Sequence, residues 1–455
     1  MSLEFPADLA TNHTTDPLAD RPPMGWNSWD CYGTTVTEAE VLANAEFMAE
    51  HLLRFGWDTV VVDIAWYDPA ARAGGYNETP GIEMDAWGRQ LPATNRFPSA
   101  ADGAGFAPLA ARVHTLGLRF GLHIMRGIPR AAVAGALPVF GLPGVSAADI
   151  ADADSVCSWN PDNLGLNHDH PGAQAYYDAQ VAQFAAWGVD FIKADDMLAP
   201  YHSREIEAYA RAIARSGRPI TLSLSPGTDL SLAHREHLAG HAEFWRVSDD
   251  LWDRWEDIYD QFGRLARWAP HQRPGAWADA DMLPLGRIGI RAERGEDRMS
   301  RLTADEQRTM LTLWCLARSP LMFGGDLPST PAATLALLTN AAVLRMHSDS
   351  HGQRELWREG DTVVWSSVAG SPEDTGAAGA PAAVYVAVFN TGETARDIRL
   401  SLSALGVPAT AAGATDLWDG QSLERAGGEL TVAVPAHGCR LLLFGSLGAA
   451  SCTGS

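Results

Sequence analysis

The sequence predicts an eight-stranded parallel (β/α) barrel followed by an antiparallel β domain, and three observations carry that prediction. Between Gly25 and about Leu337, short β-rich runs alternate with amphipathic stretches of helical period, as parallel strands joined by crossover helices do. The alternation repeats eight times, which makes closure into a (β/α)8 TIM barrel the natural arrangement, with a doubly wound open sheet as the other topology the pattern allows. Beyond about residue 350 the helical period vanishes, and runs such as TVVWSSV, AVYVAVFN, DIRLSLS, ELTVAVP and CRLLLFG alternate with turn-rich segments. The chain therefore divides into a barrel over 1–347, carrying an insertion at 128–170, and an antiparallel β domain over 348–455.

Each element has its own warrant. After an entry strand at 24–29, Thr37 and Glu40 form a capping box ahead of the stripe Val41, Ala45, Met48, Leu52 and Phe55, which ends at Gly56. The run DTVVVDIAW (58–66) is almost continuously apolar, as a strand buried on both faces is, with Asp63 near its C-terminal end. Helix 106–117 then precedes strand LRFGLHIM, helix 172–188 strand VDFIKADD, and helix 202–217 strand PITLSLS. Helix 231–241 leads to FWRVSDD, helix 252–268 to WADADML, and helix 303–317, opened by a second capping box of Thr303 and Glu306, to PLMFGG. A helix near 331–339 closes the series. In the β domain the Gly-, Ala-, Ser- and Pro-rich segment 369–382 predicts a hairpin loop, and AASCTGS a frayed end.

Composition limits the function. With 455 residues, 46% hydrophobic and 20% charged, the chain suits a large globular domain plus a smaller one. Thirty-four Lys and Arg against 56 Asp and Glu give a net charge of -22, which repels nucleic acid and anionic membranes and favours a neutral small-molecule substrate. The N-terminal stretch has neither a basic start nor an apolar run, and no segment reaches the ~20 apolar residues of a membrane span, so a cytoplasmic protein is expected. Five scattered cysteines (Cys31, Cys157, Cys315, Cys439, Cys452) fit neither a disulfide framework nor a zinc site. Sixteen Trp are compatible with a sugar-binding pocket and equally with a large core.

Active sites of such barrels lie at the C-terminal ends of the strands. Those ends supply Trp29, Asp63, His123, Lys193, Asp195, Asp196, Ser225, Arg246, Asp249, Asp250, Asp279 and Asp281. There is no Gly-x-Ser-x-Gly elbow, no Ser-His-Asp order and no phosphate loop, whereas carboxylates abound. Two carboxylates across a pocket are what cleavage of a glycosidic bond requires. Period-two geometry puts Lys193 and Asp195 on one side of their strand, where an ammonium can keep a carboxylate ionised; a structural ion pair is the alternative. Adjacent Asp249 and Asp250 repel, so that one can hold a proton and donate it, unless both belong to a solvated acidic loop. Spacing alone does not choose between them. A metal-dependent hydrolase would need converging histidines, and only His123 qualifies; His168 and His170 in the insertion read as solvated loop residues.

In order along the chain stand PPMGWNSW (22–29), VDIAW (62–66), NRFP (95–98), FGLH (120–123), WGVDFIKADD (187–196), WRVSDD (245–250), WADADML (277–283) and RSPLMFGGDL (318–327). This ordered set resembles glycoside hydrolase family 27, whose members include α-galactosidases, α-N-acetylgalactosaminidases and β-L-arabinopyranosidases. The resemblance spans most of the chain and implies a retaining exo-glycosidase with a C-terminal β-sandwich and no metal or organic cofactor. It matches Asp195 to the nucleophile, Asp250 rather than Asp249 to the acid/base, and Trp29, Asp63, Lys193, Arg246 and Asp281 to the sugar site.

The sequence departs from the α-galactosidases of the family at three substrate positions. Where they carry a second aspartate after Asp63, toward the C4 and C6 hydroxyls of galactose, this chain has Ile64. His123 stands where Tyr is common, and Ser225 where many have Glu facing the 2-hydroxyl. L-Arabinopyranose is D-galactopyranose without the C6 hydroxymethyl, and a β-L-arabinopyranoside shares the anomeric geometry of an α-D-galactoside. The expectation is release of terminal β-L-arabinopyranosyl residues with accompanying α-D-galactosidase activity. An α-galactosidase as main activity is the alternative, followed by an α-N-acetylgalactosaminidase or a non-catalytic carbohydrate-binding barrel. The insertion, with Cys157, Trp159 and Asn160, is expected to fold over the pocket as a lid or to join copies in a homo-oligomer.

Overall fold

The computed structural model describes residues 18–228, 230–372, 383–407 and 413–445. The N-terminal stretch read for a targeting signal, the segment 369–382 from residue 373 onward, and the frayed end with Cys452 lie outside these described residues.

Eight parallel strands make one sheet: β1 (Met24–Asn27), β2 (Thr59–Val62), β3 (Arg119–Met125), β4 (Phe191–Asp195), β5 (Thr221–Leu224), β6 (Phe244–Arg246), β7 (Trp277–Asp279) and β8 (Leu321–Phe323). Neighbours follow chain order from β1 to β7, and β8 pairs with β1. Leu283 closes the ring: its N–H donates to the Met322 carbonyl at 2.8 Å, and its carbonyl accepts from Gly324 N at 3.0 Å. The sheet is therefore a barrel, and the open-sheet alternative falls.

Side-chain alternation decides what lies inside. Val61, Phe191, Phe244, Trp277 and Met322 pack together as the interior. Val60, Val62, Ile192, Ala194, Trp245, Ala278 and Phe323, one residue out of phase, join the layer under the helices. The Phe191 and Phe244 rings lie 5.5 Å apart, and Gly121 makes room for them, since a Cβ there would sit 2.8 Å from a Phe191 ring carbon. Two residues further along the same parity come Asp63, His123, Lys193, Arg246 and Asp279, with Asp195 one step beyond Lys193, all at the C-terminal mouth.

Both expected capping boxes form, Thr37 with Glu40 on helix Glu38–His51 and Thr303 with Glu306 on helix Ala304–Ala317. Three expectations need correction. The strand read over 58–66 ends at Val62, because the Asp63 N–H turns aside to Ser28 Oγ (3.0 Å) and Ala65 adopts φ 65°. The helix read over 231–241 is a 3-10 turn, Leu232–His234, followed by only Arg235–Ala239. A further helix, Ala341–Ser348, follows Ala332–Leu338.

The insertion folds into a small antiparallel sheet of Ile128–Pro129, Ala151–Val156 and Asn163–Leu166, with the last in the middle. Asn163 Nδ2 ties it to the Arg126 carbonyl at 3.0 Å, and the Tyr67 hydroxyl donates to Asp162. His168, expected in solvent, is instead partly buried, with Nε2 2.9 Å from Glu205, and the His170 side chain caps helix Pro171–Trp187. The Glu205 carboxylate and the Tyr177 ring, 6.1 Å away, hold His168 inward, and its sequence neighbours do not reveal either. Among the described residues no group of three His, Cys, Asp or Glu is placed to hold a metal ion.

The C-terminal strands are β9 (Ser350–Glu359), β10 (Thr362–Ala369), β11 (Ala383–Asn390), β12 (Arg396–Ser401), β13 (Gly413–Asp416), β14 (Ser422–Glu424), β15 (Glu429–Val434) and β16 (Cys439–Gly445). A six-stranded sheet in the order β9-β10-β11-β16-β13-β14 stacks on the pair β12-β15 around Val386, Val388, Leu400, Val432 and Leu442. The opposite face of the large sheet, with Trp365, Tyr385 and Phe389, packs on the barrel, and the Trp418 indole donates to Thr312 Oγ1 at 2.8 Å. No helix among the described residues is long and apolar enough to cross a membrane, and Cys31, Cys157, Cys315 and Cys439 are free thiols.

Candidate active site

The C-terminal mouth of the barrel opens into a cavity of about 460 Å³, within the size range of small-molecule sites. Trp29, Asp63, Ile64, His123, Lys193, Asp195, Asp249 and Asp250 all line it. Lys193 Nζ donates to Asp63 Oδ2 at 2.8 Å, and Asn27 Nδ2 donates to the same oxygen at 2.8 Å. The expected partnership of Lys193 with Asp195 is thus indirect. Residues i and i+2 share a face but stand about 6.6 Å apart along a strand, so the ammonium meets the carboxylate across the barrel rather than the one on its own strand.

Asp195 takes its direct contact from His123, whose Nε2–H donates to Oδ2 at 2.9 Å, while the Asp196 N–H donates to Oδ1 at 2.8 Å. Burial opposes ionisation of Asp195. The His123 hydrogen bond and the positive field of His123 and Lys193 outweigh it and hold the carboxyl well below the usual carboxylate range. Burial likewise opposes the charge on Asp63, and Lys193 overcomes it. The Lys193 ammonium is in turn held up by Asp63 and Asp195 against the penalty of its own burial.

Arg246, only 3% exposed, sits one layer behind the cavity and grips two carboxylates: Asp250 through Nη2 at 3.0 Å and Asp281 through Nη1 at 3.1 Å. Asp281 also accepts the Leu251 N–H at 2.6 Å, and burial pushes its carboxyl up against the pull of Arg246. The pair therefore positions the segment that carries Asp250. Asp249 is exposed at the rim, and its selection against Asp250 by position alone was not available from the sequence. Ser225 is 1% exposed and its hydroxyl lacks a partner; Pro226 and Thr228, which follow it, reach the cavity instead.

Two family models match the chain, that of alpha galactosidase A over residues 167–349 and that of the alpha galactosidase C-terminal beta sandwich domain over 359–444. Among solved structures, a variant of a family 27 β-L-arabinopyranosidase from Geobacillus stearothermophilus, in complex with arabinose, is 48% identical. The match covers 94% of this chain and 98% of that one, with a TM-score of 0.89. The chain belongs to glycoside hydrolase family 27. Alpha-galactosidase 2 of Arabidopsis thaliana is 25% identical over 431 residues, 93% of this chain and 89% of its own. The α-galactosidase I of Mortierella vinacea, 21% identical with a TM-score of 0.69 over 95% of this chain and 98% of its own, shares the fold.

In this family 27 glycosidase several cavity residues escaped sequence reading. Tyr76 comes from the long loop after β2, and Glu293 and Arg294 from the loop after β7, between the short paired strands Arg287–Ile288 and Arg298–Met299. Asp30, next to Trp29, is fully buried with Oδ2 unpartnered, and burial together with Asp281 and Asp250 raises its carboxyl well above the usual range. Gly324 is required beside it, because a Cβ at that position would lie 1.9 Å from Asp30 Oδ2. Asp30 lies behind the cavity wall, and the available signal was an acid directly after the strand-end Trp29. For the loop residues there was none.

Proposed function

We propose that this glycosidase is a retaining exo-enzyme that releases terminal β-L-arabinopyranosyl residues, and α-D-galactopyranosyl residues more slowly, by double displacement. Asp195 attacks the anomeric carbon as an ionised nucleophile while Asp250 protonates the departing oxygen; water, deprotonated by Asp250, then hydrolyses the glycosyl-enzyme. Asp63 and Lys193 receive sugar hydroxyls, Trp29 offers a flat apolar face, and Arg246 with Asp281 holds the Asp250 segment. Free, scattered thiols suit a reducing, cytoplasmic setting.

The observation that carries the sugar preference is Ile64. It lines the cavity at only 1% exposure, next to Asp63, and packs with Trp29, Met125 and Phe191. A hydroxymethyl hydroxyl directed at this wall would lose its hydrogen bond, at a cost of about 1–3 kcal/mol. A pentopyranose has no such group to lose. The 48% identity to the G. stearothermophilus β-L-arabinopyranosidase supports the same reading. Rates on 4-nitrophenyl β-L-arabinopyranoside and α-D-galactopyranoside test it, and a wild-type preference for the galactoside would overturn it. Ile64→Asp is expected to raise the galactoside-to-arabinopyranoside ratio of kcat/KM by about tenfold, equivalent to roughly 1.4 kcal/mol.

His123 is expected to set the acid limb of activity. A nucleophile works only when ionised, so activity falls as pH drops through the Asp195 pKa. His123→Phe removes the hydrogen bond and charge that do most to lower that pKa, which raises it toward the ordinary carboxylate range. The acid limb of kcat/KM should therefore move to higher pH in the variant. An unmoved limb, measured below pH 6, would separate His123 from the nucleophile.

A further inference from the structure

The cavity has an aromatic wall that runs from its floor to its mouth. Tyr76 stacks on Trp29, with centroids 5.9 Å apart and planes 19° from parallel, and tilts against Trp159 at 5.6 Å. Trp159 comes from the insertion and is one of few large apolar side chains that remain exposed, at 36%, although it lines the cavity. An exposed aromatic at the lip of a binding site marks a contact surface more readily than one on an open face. At about 460 Å³ the cavity holds more than a single monosaccharide.

The other side of the mouth carries Asp249, exposed at the rim, and three arginines that are each paired with a nearby acid. Arg254 pairs with Asp257 at 2.6 Å, Arg264 with Asp260 at 3.4 Å, and Arg294 with Glu293 at 3.4 Å. Among the described residues no arginine of the mouth is left to attract an anion, and none of these three acids is left to attract a cation. Burial and the negative field of Asp250 and Asp195 keep the Tyr76 phenol protonated, so it faces the cavity as a neutral group.

We propose that Trp159 and Tyr76 form a leaving-group subsite that receives an uncharged ring, laid flat against the Trp159 indole. A pyranose presents such an apolar C–H face, and an aromatic aglycone presents a π face. The subsite rests on the reading that the bond is cleaved beside Asp195 and Asp250, with the departing group directed outward along this wall.

The test compares full-length wild type with Trp159→Ala and Trp159→Phe on three glycosides of whichever sugar, L-arabinopyranose or D-galactopyranose, the wild type cleaves. The three carry methyl, 4-nitrophenyl and a neutral pyranose as leaving group. Trp159→Ala should lower the ring-to-methyl ratio of kcat/KM by about tenfold, and Trp159→Phe should restore most of it. A fall for both rings assigns a general ring subsite; a fall for one assigns that ring chemistry. Unchanged ratios for both rings overturn the proposal. Trp159→Thr replaces Trp159→Ala if the latter does not fold, and competitive inhibition by the free sugar reports an intact glycone pocket. Failure of the arabinose reading appears in the wild-type sugar preference, whereas failure of the subsite appears only in these ratios.

Discussion

Asp195→Gly is expected to lower turnover of the 4-nitrophenyl glycoside by on the order of 10⁴-fold or more, the scale on which enzymes lose rate when their nucleophile is removed. The reason lies in how Asp195 is held. Its two oxygens face the His123 Nε2–H at 2.9 Å and the Asp196 N–H at 2.8 Å, so the carboxylate is oriented as well as ionised. Glycine removes the attacking group and leaves a small space on the same face of the sugar. Azide should enter that space, restore turnover, and yield a glycosyl azide of inverted anomeric configuration, because one displacement now replaces two. Product analysis by NMR checks the outcome. A glycosyl azide with retained configuration, or a variant that keeps more than a few per cent of activity, would remove Asp195 from the nucleophile's role.

Much of this arrangement was legible because strand parity is rigid. A single apolar residue inside the barrel, such as Phe191 or Phe244, fixes the direction of every second residue after it, and so Lys193, Asp195 and Arg246 had to face the mouth. Parity does not say which head groups meet. The Lys193–Asp63 pair joins residues 130 positions apart, and only barrel closure brings them together. Local backbone was equally hidden: Ala65, Asp196 and Asp281, all beside the site, adopt positive φ, which side-chain type did not announce. Loops were least legible. Tyr76 reaches the cavity through contacts with Trp29 and Trp159 that have no sequence period, and the insertion revealed its length but not its small sheet.

Charge in the site is distributed so that each carboxylate has a different environment. Asp63 is neutralised by Lys193, Asp195 by His123 at contact distance and by Lys193 through its field, and Asp281 by Arg246. Asp250 alone of these combines a contact to a buried guanidinium with an appreciably exposed side chain, 38% against 13% or less for the other three. Solvent reaches its carboxyl more readily than those of the buried acids. That combination, rather than the number of acids, is what the acid/base role proposed for Asp250 rests on.

Asp250→Asn should therefore produce a loss that depends on the leaving group. Protonation of the departing oxygen matters little for 4-nitrophenolate, a good leaving group, and greatly for an alkoxide. The first step on the methyl glycoside is expected to slow by about 10²- to 10⁴-fold, the range of general acid catalysis, and the first step on the nitrophenyl glycoside far less. The second step loses its base for both substrates. Glycosyl-enzyme should then accumulate with the nitrophenyl glycoside, seen as a burst of nitrophenol in stopped-flow absorbance followed by slow turnover. Asn can still accept from Arg246 Nη2 through its amide oxygen, and Arg246 keeps its 3.1 Å contact with Asp281, so the loop should stay in place. Asp249→Asn supplies the contrast: its dependence on the leaving group should follow that of the wild type. Equal losses on the two substrates in Asp250→Asn, or a burst that appears in Asp249→Asn instead, would move the acid/base role away from Asp250.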